Sequence, residues 1–255
     1  MLKKLGIVLL AAGLSGGDAN AQEERMETDR PDQTESPYIV PKKWLQFESG
    51  FNFEKNEPGS QTFVYPTLLS KYGISKRFEL RMITSLLANR DYNGSQYETI
   101  TGIEPVQLGG KLALTEEHGL LPKTSLIAHI AIPHFATTKL HAEKLAPNFV
   151  FTMQHRITPR FAVGYNLGAE WDGFSNIPAW VYRISPGFNI GDHWYAYAEA
   201  FGFIQQDASA NHNIDGGIAY YLNDNIKIDL SAGKGLSTAS MRYYAAIGAS
   251  VRFPL

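Results

Sequence analysis

FAVGYNLGAEW (Phe161–Trp171), DGFSNIPA (Asp172–Ala179) and WVYRISPGFNI (Trp180–Ile190) decide the fold of this chain. In the first piece Phe161, Val163, Tyr165, Leu167, Ala169 and Trp171 fall on one face, and Ala162, Gly164, Asn166, Gly168 and Glu170 on the other. In the third, Tyr182, Ile184, Phe188 and Ile190 oppose Arg183, Ser185, Gly187 and Asn189. Successive side chains of a strand point to opposite faces, so this period marks two strands, each with one apolar face. The polar piece between them reads as a loop. Short turns stand on the far side of each strand, at Thr158-Pro159-Arg160 and Gly191-Asp192-His193.

The same pattern runs outward in both directions. Trp44–Glu54 places Leu45, Phe47, Phe51 and Phe53 against Gln46, Glu48, Gly50, Asn52 and Glu54. Ile214–Leu222 sets Ile214, Ile218, Tyr220 and Leu222 against Asp215, Gly217 and Tyr221, and the last strand sets Tyr243, Ala245, Ile247, Ala249, Val251 and Phe253 against Arg242, Tyr244, Gly248, Ser250 and Arg252. Further strands are expected near 62–72, 78–88, 103–114, 123–133, 148–157, 194–205 and 226–235, twelve in all. Those near 62–72 and 194–205 alternate poorly, and which of their faces meets lipid stays open from pattern alone. Segments of about 10 to 12 residues, tilted, span the roughly 25 Å apolar band of an outer-membrane barrel.

The connections sort into two classes. Ser75-Lys76-Arg77, Thr158–Arg160, Gly191–His193 and Asn223-Asp224-Asn225 are short, and Thr115–Pro122 is somewhat longer. Between them lie longer polar loops at 56–61, 89–102, 134–147, 172–179, 206–213 and 234–241. Short periplasmic turns alternating with longer outer loops are the habit of such barrels. The fold class is therefore all-β, a twelve-stranded antiparallel transmembrane β-barrel of outer-membrane type, with both termini on the periplasmic side. The four tryptophans agree: Trp44 and Trp194 open strands at the expected inner rim, and Trp171 and Trp180 flank one outer loop, interfacial places that suit an amphipathic ring.

The N-terminus reads MLKKLGIVLLAAGLSGGDANAQ, with a positive start at Lys3 and Lys4, an apolar run Leu5–Leu14 and a small-x-small site at Ala19-Asn20-Ala21. That order is a cleavable export signal, and the apolar run is too short to span a bilayer as a helix. The domain reading is thus 1–21 signal peptide, 22–43 polar periplasmic leader or lumen plug, and 44–255 barrel, located in the outer membrane of a Gram-negative-type bacterium. No later stretch is apolar enough for a transmembrane helix. There is no Cys, so stability must come from the closed hydrogen-bonded wall rather than from disulfides. A net charge of −2 gives no basic field for nucleic acid.

Two stretches carry a resemblance. Gly248-Ala249-Ser250-Val251-Arg252-Phe253 resembles the terminal signal of outer-membrane barrels, which implies recognition by the barrel-assembly machinery. Here Ala246 stands where a polar residue is usual, and Pro254-Leu255 follow the Phe. The run Glu27-Thr28-Asp29-Arg30-Pro31-Asp32-Gln33-Thr34-Glu35-Ser36-Pro37-Tyr38-Ile39-Val40-Pro41-Lys42, leading into Trp44-Leu45-Gln46-Phe47-Glu48, resembles the opening of the "putative MetA-pathway of phenol degradation" family, often labelled as transporters. The resemblance implies an outer-membrane barrel tied to uptake of hydrophobic or aromatic compounds.

Parity places Glu48, Glu54, Glu79, Arg81, Lys111, His129, Arg156, Glu170, Arg183, Asp215, Lys227, Asp229 and Arg252 on the lumen face. Either they form a salt-bridged interior or they line a hydrated path. Their mixed sign argues against strong anion or cation selectivity. Asp29, Arg30, Asp32 and Glu35 are candidates for a plug that pairs with these charges; the alternative is a disordered periplasmic leader. Among enzyme signatures, His155 follows Gln154 on a strand with no serine motif near it. His134 and His141 share a loop at a spacing that fits no metal motif, and Gly233-Lys234-Gly235 lacks a phosphate-loop context. No catalytic, metal or cofactor site is expected. The expectation is a channel or transporter for small molecules, hydrophobic or aromatic ones among them. The alternatives are a structural or adhesive barrel with a closed lumen and, more remotely, a lipid-modifying enzyme.

Overall fold

The computed structural model describes residues 25–56, 59–92 and 94–255; the expected export signal over 1–21 lies outside them. The strands are β1 (Trp44–Lys55), β2 (Gln61–Ser75), β3 (Phe78–Tyr92), β4 (Tyr97–Ile103), β5 (Val106–Thr115), β6 (Lys123–Ile132), β7 (Ala146–Thr158), β8 (Phe161–Glu170), β9 (Ala179–Ile190), β10 (Trp194–Gln205), β11 (Asn211–Asn223), β12 (Ile226–Gly235) and β13 (Tyr243–Pro254). All neighbours are antiparallel, and β1 pairs with β13 in unbroken register from Trp44↔Pro254 to Lys55↔Tyr243, which closes the sheet. Closure pairs the strands of the ring on both sides, so the wall can satisfy its backbone without water.

Thirteen strands make twelve staves, because β4 and β5 share one side of β3: β4 pairs with Leu86–Tyr92 and β5 with Phe78–Ile83. The stave breaks at Glu104-Pro105, where Pro105 has no N–H to give a ladder, while Glu104 N–H donates to the Ser85 carbonyl at 3.0 Å. The structure here corrects the expectation of a polar loop over 89–102. The β3–β4 hairpin continues through it, pairing Tyr92 with Tyr97. Its residues alternate nothing apolar, since a hairpin that outruns the hydrocarbon has no lipid face to supply. The edge of β4 away from β3 is covered by the 133–140 segment, where Thr137 Oγ1 accepts from the Ile103 N–H at 2.9 Å and the Thr137 N–H donates to the Ile103 carbonyl.

Burial divides the two faces. Leu167 is 57% exposed and Ile247 54%, whereas Asn166 and Ser250, one residue or three away, are 1% exposed. Lysines, arginines and carboxylates such as Lys111, Arg81, Glu48 and Glu79 are buried while large apolar side chains cover the outer face, the inverse of a water-soluble domain. Hydrocarbon covers the outer face, and Ile247→Arg, near the middle of β13, should therefore destabilise the barrel by about 2–4 kcal/mol, with Ile247→Leu nearly neutral in the same urea titration. A cost for the arginine below about 1 kcal/mol would remove that face from the bilayer core.

The two poorly alternating strands have separate causes. In β2, Thr67 pairs with Gly50 and Val64 with Asn52, so three steps on β2 oppose two on β1. The same mismatch faces β3, where Thr67 pairs with Ser85 and Val64 with Leu87. The extra residue is a bulge at Tyr65-Pro66, a place in a sheet where proline is tolerated. It reverses the parity, so Leu69 and Lys71 face inward beside Glu48 and Gln46 while Thr62 shares the side of Glu54. In β10 the alternation is clean but inverted in size. Tyr197, Glu199 and Phe201 are buried, and the small alanines, with the exposed Trp194 and Ile204, face outward.

Candidate functional site: the leader and the lumen wall

Residues 25–41 form no regular structure, so each buried N–H of this leader needs a partner from elsewhere. The wall supplies them. Glu48 Oε2 on β1 accepts from the N–H groups of Asp29 and Arg30 at 2.9 and 3.0 Å. Glu199 Oε2 on β10 accepts from Gln33 N–H at 2.7 Å, while its Oε1 accepts from the Thr34 hydroxyl at 2.5 Å. Asn166 on β8 grips Glu35 from both sides, accepting from its N–H and donating to its carbonyl. Glu79 on β3 accepts from Val40 N–H at 2.7 Å, and Ser125 on β6 donates to the Pro37 carbonyl at 2.6 Å. A single segment can bond to β1, β3, β6, β8 and β10 only from inside the ring they form.

Side chains add a charged hub. Asp29, 7% exposed, pairs with Lys71 of β2, with Arg81 of β3 at 2.8 Å and with Lys111 of β5 at 3.2 Å. It also accepts from Ser36 N–H, which folds the leader back on itself. Burial alone would raise its carboxyl, but Lys111, Lys71 and Arg81 outweigh that and hold it well below the ordinary carboxylate range. Arg81 reaches Glu79 at 3.0 Å and Glu35 at 3.1 Å, and its Nε donates to His129 Nε2. Lys71 also pairs with Glu48 at 2.5 Å. Across the lumen, Arg30 pairs with Asp229 of β12 at 2.8 Å. Its guanidinium lies against Gly50 and Gly248, which are register partners on β1 and β13; a Cβ on either would stand 2.4 or 2.3 Å from it. Glycine at both positions therefore makes the trough that Arg30 occupies. Lys227 bonds to Thr28 Oγ1 and the Arg30 carbonyl. Asp32 accepts from Tyr195 and Ser185 at 2.7 and 2.9 Å; burial pushes its carboxyl up, against those two hydrogen bonds.

The structure thus brings Glu48, Glu79, Arg81, Lys111, His129, Lys227 and Asp229 into the network around the leader, with Asp29, Arg30, Asp32 and Glu35 as its inner partners. Glu170 and Arg183 pair with each other at 3.2 Å, and Arg183 lies 4.0 Å from Glu35. Asp215 accepts from the Tyr244 hydroxyl. Arg156 donates to the Tyr38 hydroxyl at 2.8 Å, Arg252 donates to Asn225 at 2.7 Å, and Glu54 is half-buried. Parity passed over Lys71, which lies beyond the bulge, and Glu199, which sits on an aromatic-rich face. Asn166 and Ser185 stand on the polar faces that alternation gave, but like Ser125 they are short neutral side chains, with no charge to mark them as partners of the leader. Between the leader and the short-turn end lies a polar cavity of about 490 Å³, bounded by Thr158–Phe161, Gly191, Asp192, Asp32, Tyr195 and Arg25.

A family model matches residues 28–253, from the leader to the end of the last strand. The chain belongs to the putative MetA-pathway of phenol degradation family. The matched span includes the leader as well as the whole wall, so the family is defined on both. No curated protein matches the chain in sequence. Among solved structures, the COG4313 outer membrane channel from Pseudomonas putida F1 is similar at 10% identity and a TM-score of 0.64, over 92% of this chain and 100% of that one. The KdgM porin is similar at 8% identity and a TM-score of 0.53, over 81% and 99%. The translocator domain of the autotransporter NalP from Neisseria meningitidis is similar at 9% identity and a TM-score of 0.53, over 82% and 88%. These likenesses place the fold among outer-membrane barrels.

Proposed function

We propose that this phenol-degradation-family barrel is an outer-membrane channel for small molecules, held narrow by its own leader. The observation that carries the reading is a closed wall, apolar outside and polar inside, with a segment of the same chain bonded across its lumen and a cavity of about 490 Å³ open beneath that segment. A barrel that served only as a scaffold would need no such cavity. The fold it shares with a COG4313 outer membrane channel and a porin supports passage rather than adhesion. With the short turns on the periplasmic side, the cavity opens toward the periplasm and the leader separates it from the outside. Tyr195, Tyr197, Tyr221 and Tyr244 face the lumen on β10, β11 and β13. Their rings offer apolar faces with polar rims, a surface suited to small aromatic solutes of the kind the family description concerns.

Liposome swelling tests this. Full-length protein should admit a small neutral solute such as glycine or arabinose and reject a trisaccharide. Vesicles holding folded protein that swell no faster than empty ones, for every solute tried, would leave the barrel a closed scaffold.

A further inference from the structure

The cations of the lumen are engaged with the leader and its wall, but three cations on the outside of the barrel are not. Lys55 of β1, Gln61 of β2, Arg90 of β3 and Thr99 of β4 are successive register partners. On its other side Lys55 pairs with Tyr243 of β13. Lys234 of β12 follows the Gly233↔Tyr244 pair, which brings it beside Tyr243. Lys55 shares the outward parity of Phe51, Arg90 that of Leu86 and Lys234 that of Leu230, all three of them exposed apolar residues. One row at the long-loop end of the outer face therefore carries Lys234, Lys55 and Arg90 on every second strand, about 10 Å apart at the usual strand spacing. Among the described residues none of the three forms an ion pair. The Arg90 guanidinium stacks on the Tyr97 ring, 4.2 Å from its centroid, which leaves the edge of its donor fork open to an anion.

Below this row the same face is apolar. One row down, the Phe53 and Phe63 rings meet at 5.0 Å, and Tyr243 and Tyr65 extend the belt to either side, as aromatic rings do at a membrane interface. Farther down, Phe51, Ile218, Leu230 and Ile247 border an apolar cleft of about 630 Å³ beside the small Ala249. Phe51 stands four residues below Lys55, about 13 Å along the strand. Elsewhere on the rim the pattern is different: Trp180 and Ile204, partners at the long-loop ends of β9 and β10, bring no charge. We propose that the face from β12 to β3 holds a phosphorylated glycolipid of the outer leaflet, with its phosphates on Lys234, Lys55 and Arg90 and its acyl chains over Phe53, Phe51 and the cleft. Charge complementarity selects this occupant. Basic side chains at a membrane surface attract anionic lipid headgroups, and the long lysine stems lie along apolar surface while their ammonium groups reach the phosphates. Cations in 10 Å steps suit a headgroup with two phosphates on a sugar scaffold, whereas the single phosphate of a phospholipid does not span them. Gln61 and Thr99, between and beside the cations in the row, offer neutral partners to sugar hydroxyls. The inference places the short turns on the periplasmic side and is independent of conduction.

The test is native mass spectrometry of the mature full-length barrel in detergent, titrated with the bisphosphorylated glycolipid lipid A, with lipid A stripped of its phosphates, and with phosphatidylglycerol. The barrel should retain lipid A and bind the stripped form and phosphatidylglycerol about tenfold or more weakly. K55Q/K234Q should lose lipid A affinity by a similar factor. K42Q/K76Q, which removes two exposed lysines at the short-turn end, should keep it. The comparison of the three lipids needs no variant and stands if K55Q/K234Q fails to fold. Failure to retain lipid A overturns the proposal, and so does equal retention with and without its phosphates. Phosphatidylglycerol held as tightly as lipid A makes the row a general anionic-lipid contact and overturns the glycolipid site. Equal losses in folded K55Q/K234Q and K42Q/K76Q barrels trace binding to net charge and overturn it as well.

Discussion

Asp29→Asn is expected to release the leader from the wall. Three buried cations converge on that carboxylate, and removing one partner of a buried charged cluster costs about 3–5 kcal/mol because the remaining charges lose their compensation. Lys71 keeps Glu48, and Arg81 and Lys111 keep Glu79, so the wall itself survives and the loss falls on docking. The shift should appear as faster hydrogen exchange and protease clipping within residues 26–41, with the barrel core unchanged. The sign of the pH dependence follows from the lowered Asp29 carboxyl. A carboxylate depressed in the docked state stabilises docking above its free value, near 3.9, and loses that contribution as pH falls from there toward the docked value. Docking should therefore be unaffected at neutral pH and weaken in strong acid; weakening on going from pH 7 to pH 9 would assign the hold to other groups.

Deleting residues 23–36 should raise conductance severalfold without unfolding the barrel. The deletion removes every bond from Glu48, Glu199 and Asn166 to the leader, but no ladder hydrogen bond, since β1 begins at Trp44. The closing register between β1 and β13 is intact without it. Heat-modifiable migration on a gel reports the fold, and single-channel current reports the opening. A folded truncated barrel with full-length current would make the segment a tether.

Much of the wall was legible because lipid imposes a strict period on it. β8, β9 and β13 each present an apolar face that solvent-facing strands have no reason to keep, and the short and long connections alternate as a membrane requires. Where the lipid constraint lapses, the pattern lapses with it. The β3–β4 hairpin, rich in Asn, Arg, Asp and Tyr, reads as loop, and its turn signal at Asn93-Gly94 is the sort that short hairpins use. Pro66 in β2 was the visible sign of the bulge that turned Lys71 inward. Glu199 was hidden among Tyr195, Tyr197 and Phe201, opposite a face of alanines, so size and polarity pointed to neither side as the lipid face; a ring with a hydroxyl serves a lumen lined with acceptors as well as a bilayer rim. The partners of the leader could not be read at all. Its motif shows that Asp29 and Arg30 are charged, but which wall residues meet them depends on stagger and tilt across the whole barrel, which one sequence does not state.

The most direct measurement of the central claim uses the absence of cysteine in the native chain. Thr34 lies in the leader and Gly164 faces it from β8; a Cβ at Gly164 would stand 3.1 Å from the Thr34 methyl carbon, the γ position that a cysteine sulfur would occupy, which puts the pair within reach of a disulfide. T34C/G164C barrels exported to the outer membrane should therefore oxidise within the chain, with the linked peptides found by mass spectrometry and both thiols protected from maleimide until a reductant is added. Two free thiols that maleimide labels without reduction, in a barrel shown to be folded, would place the leader outside the lumen and contradict the account.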